Sequence, residues 1–118
     1  MGDPVPGATR SDVALVLTTA PTLDVATSLA EGLLDAGLIA CANIVPGVRS
    51  LYRWKGEVQR DDEVLVLMKS TTTLYPRLEA FLAKAHPYDV PEILSMPVSA
   101  GFAPYVSWIR EEVSDTHE

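Results

Sequence analysis

The chain has 118 residues, of which 47% are hydrophobic, and its formal net charge at pH 7 is −7. This length allows one ordinary domain with a core of its own but not two, and the hydrophobic content argues against disorder. The acidic charge predicts that the chain does not bind nucleic acid, whose phosphates it would repel. The longest apolar runs, such as residues 64–68, are strand-sized, so we also expect no membrane span.

The two ends of the chain are predicted to lie outside the domain. Residues 1–11 contain two prolines and two glycines without an apolar run, which indicates a flexible tail rather than a secretory signal. Residues 12–114 form the domain, and residues 115–118 form an acidic tail. Because there is no signal and Cys41 is the single cysteine, we expect no internal disulfide and a reducing, cytoplasmic location.

A strand and a helix are predicted at the start of the domain. The run VALVLTT from Val13 is continuously apolar and rich in β-formers, which is typical of a buried central strand. Thr22 is a candidate N-cap for an amphipathic helix of about four turns, which Gly37 ends. The apolar residues of this helix recur at helical spacing: Leu23, Ala26, Leu29, Ala30, Leu33 and Leu34.

A long β-hairpin is predicted next. Its first arm begins near Ala42 and ends at Trp54, and the Pro-Gly pair at 46–47 indicates a bulge or bend. The Lys-Gly pair at 55–56 predicts a tight turn into the second arm, residues 57–70. Because both arms are longer than the first strand can pair, their free edges lead us to expect pairing with sister chains.

The rest of the chain completes a simple order of elements. A second helix has its apolar stripe between Leu74 and Ala85, residues 92–97 form a short strand, and Pro104 opens a short C-terminal helix. The order β-α-β-β-α-β is typical of an α+β, ferredoxin-like domain, in which one antiparallel sheet carries both helices on one face. The opposite face then needs a cover, which is a second reason to expect assembly.

Three short motifs stand in order along the chain: CANIVPG from Cys41, YRWKGE from Tyr52 and HPYDVPE from His86. In this order and spacing the sequence resembles the CutA family of divalent-cation-tolerance proteins over nearly the whole domain. The resemblance implies a ferredoxin-like protomer in an interlocked homotrimer, a cytoplasmic role, and a link to copper and other divalent cations. It also implies a likeness to the trimeric PII signalling proteins, which bind ligands in clefts between subunits.

Cys41, His86 and Glu92 are the candidate metal ligands. A thiolate or a neutral imidazole suits copper or zinc, but Cys41 can equally be a small buried residue and His86 a helix cap. In some family members the copper ligands are a first-strand cysteine and two adjacent histidines. This sequence has Thr18 and Ala85 at two of those places, so we expect only weak binding of copper or another divalent cation.

Aromatic and charged residues form a second candidate set, for a cleft or an interface between subunits. Tyrosine and tryptophan are common anchors of subunit contacts, so packing between protomers is the alternative to a ligand cleft. Lys69 could be a charged member of such a cleft together with Glu92, or the two could pair with each other. The set consists of Tyr52, Trp54, Lys69, Tyr88, Asp89 and Trp108.

The sequence offers little that would define an enzyme. A Cys41–His86 pair lacks a nameable third group to orient it, and the chain has no usual phosphate-binding glycine motif. We therefore predict a non-enzymatic trimer that binds divalent cations and serves metal tolerance, copper included. The alternative is a PII-like signalling or scaffold trimer that binds a small molecule or a partner in its clefts.

Overall fold

The structure is a computed structural model that describes residues 8–113 of the chain. It confirms the predicted α+β class. In chain order its elements are strands β1 (Ala8–Arg10) and β2 (Val13–Ala20), helix α1 (Leu23–Asp35), strands β3 (Cys41–Trp54) and β4 (Glu57–Thr71), helix α2 (Tyr75–Ala85), strands β5 (Ile93–Pro97) and β6 (Ala100–Phe102), and helix α3 (Ala103–Glu112). The predicted acidic tail, residues 115–118, lies outside the described residues.

The main sheet has four antiparallel strands in the order β3-β4-β2-β5. Strand β2 is central, because it pairs with β4 along its whole length and with β5 on its other side. Two neighbours and a covered face explain why this strand is an almost unbroken apolar run. Thr22 caps α1 as predicted, since its hydroxyl accepts a hydrogen bond from the Val25 N–H at 3.1 Å.

The main core lies between one face of this sheet and the helices α1 and α2. Alternate residues of β2 and β4 point into it, as expected for the period of a strand. Helix α3 packs on the opposite face near the start of β2, in a smaller cluster of Val13, Val106 and Ile109. The main core includes Val16, Val66 and Met68 from the sheet, Leu29 and Leu33 from α1, and Leu78 and Leu82 from α2.

Strand β1 belongs to a two-stranded sheet, although it lies within the segment for which the sequence predicted a flexible tail. Strand β1 pairs antiparallel with β6, with Ala8 opposite Phe102 and Arg10 opposite Ala100. Both strands have only 3 residues, which is too short for a readable alternation, and each finds its partner at the far end of the chain. Backbone pairing therefore begins before residue 12 in the described part of the chain, and residues 1–7 of the predicted tail lie outside the described residues.

The hairpin of β3 and β4 has the predicted turn and the predicted bulge. Lys55 and Gly56 have φ values of 50° and 83°, as a two-residue turn of type I′ requires. The register shifts between Val45 and Val48, where Gly47 adopts a φ of 80°. Strands β3 and β4 have 14 and 15 residues but β2 has 8, so the outer half of the hairpin extends beyond β2.

The sheet face opposite α1 and α2 is only partly covered, and we call it the open face. Leucine side chains of β2 and β4 are half-buried on it, while Leu94 and Met96 of β5 are 55% and 41% exposed. Val45 of β3, which lies opposite Leu65 of β4 at the other edge of the sheet, is 41% exposed. Among the described residues no helix is both long enough and apolar enough to cross a membrane.

Candidate functional site

A cavity of about 700 Å³ lies between the hairpin and the segment that joins α2 to β5. We call it the hairpin cavity. It brings together five of the residues predicted for a cleft or a metal site, and it adds carboxylates that the prediction did not include. Its lining consists of Thr19, Arg49, Ser50, Leu51, Tyr52, Trp54, Asp61, Glu63, Tyr88, Asp89, Val90 and Glu92.

The hairpin supplies its share of the lining through its pairing register. Ser50 lies opposite Asp61, and Tyr52 lies opposite Gln59. Directly opposed residues of an antiparallel pair share a face, and so do residues two apart on one strand. Asp61 and Glu63 of β4 therefore lie on the same face as Tyr52.

Tyr88 binds the most deeply buried carboxylate of the cavity. Its hydroxyl donates a hydrogen bond to Glu63, with 2.8 Å between Tyr88 Oη and Glu63 Oε2, and Glu63 is only 8% exposed. Burial, followed by the hydrogen bond to Glu63, raises the pKa of Tyr88 well above its ordinary value. The phenol therefore stays protonated at neutral pH and remains a donor to this carboxylate.

A second phenol and carboxylate pair stands nearer the tip of the hairpin. The hydroxyl of Tyr52 donates a hydrogen bond to Asp61 Oδ2. This bond is the main reason that the pKa of Tyr52 is raised above its ordinary value. The two tyrosines thus hold two of the cavity's carboxylates in position while leaving further acceptor sites on each.

His86 lies behind the cavity and is 6% exposed. Its Nε2 is 2.7 Å from the carbonyl oxygen of Thr19, and its Nδ1 is 3.1 Å from the backbone nitrogen of Tyr88. Because a carbonyl can only accept, Nε2 donates to Thr19, and Nδ1 accepts from the Tyr88 N–H. Both ring nitrogens are thereby engaged, and the ring also contacts Tyr88, with 4.7 Å between centroids.

Cys41 lies toward the other end of the main sheet. It is paired with Lys69, whose Nζ is 3.8 Å from Cys41 Sγ and also donates to Asn43 Oδ1. The ring of His86 binds Thr19, which is opposite Leu65 on β4. Four residues of strand separate Lys69 from Leu65, or about 13 Å, so this protomer does not bring Cys41 and His86 together.

Lys69 and Trp108 are the two members of the predicted cleft set that do not line the hairpin cavity. Lys69 has Cys41 and Asn43 as partners rather than Glu92. The ring of Trp108 stacks on Tyr105 of α3, with 5.6 Å between centroids. The predicted cleft set therefore divides, and Tyr52, Trp54, Tyr88 and Asp89 remain at the cavity with Glu92.

The carboxylates are the groups of the cavity that could bind a cation. Asp61, Glu63, Asp89 and Glu92 line it, and Arg49 is its one basic lining residue. Arg49 Nε lies 3.1 Å from Asp62 Oδ1, so its charge is partly offset by a carboxylate outside the lining. Within residues 8–113 no three His, Cys, Asp or Glu side chains converge as a preformed metal site.

Asp61 and Glu63 are the functional candidates that the sequence reasoning missed, although a signal for them was available. The predicted turn at 55–56 fixes the hairpin register, which places Ser50 opposite Asp61 and the tyrosine of the first arm on the same face. The register therefore puts Asp61 diagonally next to Tyr52 and Glu63 further along the same face. The contact of Tyr88 with Glu63 had no such signal, because it joins segments that are distant in sequence.

The fold and the site together define a small α+β protein with a long hairpin and a cavity lined by four carboxylates and one arginine. The chain belongs to the CutA1 divalent ion tolerance protein family, whose family model matches residues 14–112. This finding confirms the resemblance that the three motifs indicated. The family is named for divalent ion tolerance, and the Thermus thermophilus relative below is named for divalent-cation tolerance.

Relatives from distant organisms match most of the chain. It is 46% identical over 97 residues to the divalent-cation tolerance protein CutA of Thermus thermophilus, covering 82% of this chain and 94% of that protein. It is 38% identical over 115 residues to the Homo sapiens protein CutA, covering 95% of this chain but 62% of the human protein.

Solved structures agree with the fold. The divalent cation tolerance protein (Cut A1) from Thermus thermophilus superposes with a TM-score of 0.84 at 44% identity, covering 86% of this chain and 99% of that one. A protein from Archaeoglobus fulgidus that is named a periplasmic divalent cation tolerance protein CutA gives 0.84 at 28% identity, covering 86% and 99%. Because that relative is named periplasmic, the cytoplasmic location of this chain stays a prediction.

Proposed function

We propose that this protein serves divalent-cation tolerance as a cytoplasmic homotrimer that binds divalent cations, copper among them, weakly at the hairpin cavity. The observation that supports this function is the lining of one cavity by four carboxylates, Asp61, Glu63, Asp89 and Glu92, with a single arginine. A concave site lined mainly by one sign of charge concentrates ions of the opposite sign. The net charge of −7 acts in the same direction.

Weak binding is the expected regime for this lining. Glu63 and Asp61 each already accept a bond from a tyrosine, and Asp89 and Glu92 are exposed on the other wall. A divalent ion held by one or two carboxylates keeps much of its water shell and exchanges readily. Such a site suits a protein that responds to the concentration of a metal better than one that stores it.

Glu92 is the predicted metal ligand that the cavity best supports. For Cys41, the nearby ammonium group of Lys69 opposes the approach of a metal cation, although it is compatible with a thiolate. For His86, a metal would have to displace either Thr19 or Tyr88 from the ring. We therefore assign the main contribution to the carboxylates and keep Cys41 and His86 as alternatives for experiment.

The open face and the outer hairpin support the homotrimer. Leu94 and Met96 leave apolar area uncovered on the open face, and Leu51 and Trp54 near the hairpin turn are 59% and 50% exposed. Apolar patches and free strand edges of this kind are usually covered by another chain. The number three comes from the family resemblance, since neither the patches nor the edges specify it.

Calorimetric titration of the purified protein with Cu²⁺ and Zn²⁺ tests the metal proposal, and native mass spectrometry tests the trimer. Glu92→Gln and Asp89→Asn should weaken binding, whereas Glu31→Gln on the exposed side of α1 is the matched control. Absence of binding at micromolar metal would contradict the proposal. Loss of binding only in Cys41→Ser or His86→Ala would keep the metal function and move its site.

A second function is favoured by the size of the cavity and by its aromatic walls. About 700 Å³ falls within the range of small-molecule sites, and Tyr52, Trp54 and Tyr88 all line it. A PII-like signalling or scaffold trimer that holds a small molecule or a partner there is the alternative to metal binding. A thermal-shift screen of metabolites and metals separates the two, since each function expects its own ligand class to raise the melting temperature.

A further inference from the structure

Glu63 is a buried carboxylate without a cationic partner in the described part of the chain. It is 8% exposed, it lines the hairpin cavity, and its hydrogen-bond partner is the neutral phenol of Tyr88. The ion pairs seen within residues 8–113 are Arg49–Asp62 and Arg110–Asp12, and both lie elsewhere. Burying a carboxylate without a countercharge is costly, so a cation that enters the cavity gains an interaction that is already prepared for it.

The walls of the cavity are aromatic as well as acidic. The rings of Tyr52, Trp54 and Tyr88 line it, and Trp54 is 50% exposed. Aromatic faces attract cations because the electron-rich face of the ring meets the positive charge, and an organic ammonium ion also brings hydrocarbon that can pack on the ring. A metal ion with its water shell would leave most of the roughly 700 Å³ and these rings without a contact.

The hydrogen bonds of the two tyrosines also favour a ligand that can donate hydrogen bonds to the cavity. The phenol of Tyr88 binds Glu63 and that of Tyr52 binds Asp61, so both phenolic protons are already used. Carboxylate oxygens, phenolic oxygens and ring faces then make up most of the polar and aromatic lining, beside the donors of Arg49, Ser50 and Trp54. A ligand that brings N–H donors and a positive charge matches the four carboxylates of this lining, whereas an anion would be repelled by them.

We infer that the hairpin cavity binds a small organic ammonium ion, such as a protonated primary amine, with its charged end at Glu63 and its hydrocarbon part against the aromatic walls. This inference rests on the proposed function in taking the cavity as the cation site, and it names a ligand class for that site. Metal and ammonium ions then compete for the same carboxylates.

Ligand-observed NMR and a thermal-shift titration with butylammonium chloride test the inference. Butanol, which has the same chain and no charge, and sodium chloride at equal ionic strength are the matched controls. We expect butylammonium alone to bind and to raise the melting temperature. We expect Glu63→Gln to weaken it about tenfold to a hundredfold, as for the loss of a charged hydrogen bond.

A second cavity variant and a parallel titration with Cu²⁺ make the result decisive. Trp54→Leu retains an apolar wall but removes the aromatic face, and it should weaken butylammonium more than Glu31→Gln, which leaves the cavity intact. Equal binding of butanol, or binding that survives both cavity variants, would overturn the inference. If Cu²⁺ binds in a Glu92-dependent way and butylammonium does not, this inference fails while the proposed function stands. If butylammonium binds at the cavity and Cu²⁺ does not, the inference stands and the proposed metal binding fails.

Discussion

The phenol of Tyr88 donates a hydrogen bond of 2.8 Å to the carboxylate of Glu63, and this bond joins the segment before β5 to the hairpin. The same segment is anchored from behind, because the ring of His86 binds the carbonyl of Thr19 and accepts from the backbone N–H of Tyr88. Glu63 is therefore linked to the end of β2 through two aromatic side chains. This connection holds the two walls of the hairpin cavity in one geometry.

Removing this bond should destabilise the protein measurably. Tyr88→Phe keeps the ring but leaves the buried Glu63 carboxylate without its donor, so we expect the free energy of unfolding to fall by about 1–3 kcal/mol. Urea unfolding at a fixed protein concentration measures the change. Tyr105→Phe is the matched control, because Tyr105 is 43% exposed.

The cause of that effect can be separated from a general loss of packing. In a double-mutant cycle, Glu63→Leu and Tyr88→Phe together should cost less than the sum of their separate effects, since either change alone already removes the hydrogen bond. Strictly additive costs would mean that the hydrogen bond contributes little and that the ring alone matters.

The tyrosines predict a loss of stability at alkaline pH. Burial, followed by the hydrogen bond to Glu79, raises the pKa of Tyr75 to about 12, and the pKa values of Tyr52 and Tyr88 are also raised. Each neutral phenol is favoured by folding, so this stabilisation is complete below the ordinary pKa of 10.0 and is lost as pH rises toward the folded value. Ultraviolet absorbance should show that tyrosines of the folded protein ionise at higher pH than those of the urea-unfolded chain. Superimposable titration curves in the two states would contradict this.

Local signals in the sequence were sufficient for the helices and the hairpin. Thr22 as an N-cap, Lys55-Gly56 as a turn and the Pro46-Gly47 bulge each depend on a few adjacent residues whose backbone preferences are strong. The hairpin turn also set the register that places Asp61 at the cavity. These features could be predicted because neighbours in sequence determine them.

Contacts between distant segments could not be predicted in this way. Strand β1 pairs with β6, and the side chain of Lys69 contacts Cys41 and Asn43 rather than Glu92. Which residues meet in such cases depends on how whole elements pack. Neither a very short strand nor a single polar residue leaves a sequence pattern that reveals its partner. Cys41 and His86 were grouped as candidate metal ligands by their chemistry, and chemistry alone does not say that they lie at different ends of a sheet.

An ion pair near the chain's N-terminal end should contribute a small, acid-sensitive stabilisation. Arg110 Nε donates to Asp12 Oδ1 at 2.7 Å and thereby lowers the pKa of Asp12. Because the two side chains are 45% and 48% exposed, we expect Arg110→Gln to cost less than about 1 kcal/mol at neutral pH. The effect should be present above the unfolded pKa of about 3.9 and disappear as pH falls through the lower folded value.

Arg49→Gln provides the control for this pair. Arg49 binds Asp62 at 3.1 Å, but these side chains are 68% and 85% exposed, so its loss should cost still less. Thermal unfolding of both variants between neutral and acid pH measures the difference. A cost for Arg110→Gln that stayed constant down to the most acid pH would show that the pairing with Asp12 is not its source.

The exposed ring of Trp54 leads to a prediction about the assembly of this protein with copies of itself. It precedes the turn, pairs with Glu57 beyond the end of β2, and is 50% exposed, so in one protomer its ring has little of its own core to contact. If the outer hairpin packs on a neighbour, Trp54→Ala removes a large interfacial anchor, and such truncations cost on the order of 2 kcal/mol or more in binding. We expect the variant to fold but to dissociate at nanomolar concentration, as measured by light scattering and sedimentation.

The matched control is Leu23→Ala, because Leu23 is also about half exposed, at 51%, but belongs to α1 rather than to the hairpin. Its assembly should be unchanged, and circular dichroism should report the same secondary structure for both variants. If Trp54→Ala were instead to unfold the isolated chain, the ring would belong to the protomer's own stability. If both variants kept the wild-type mass at nanomolar concentration, sister chains would have to be held by the open face alone, where Leu94 and Met96 then become the residues to change.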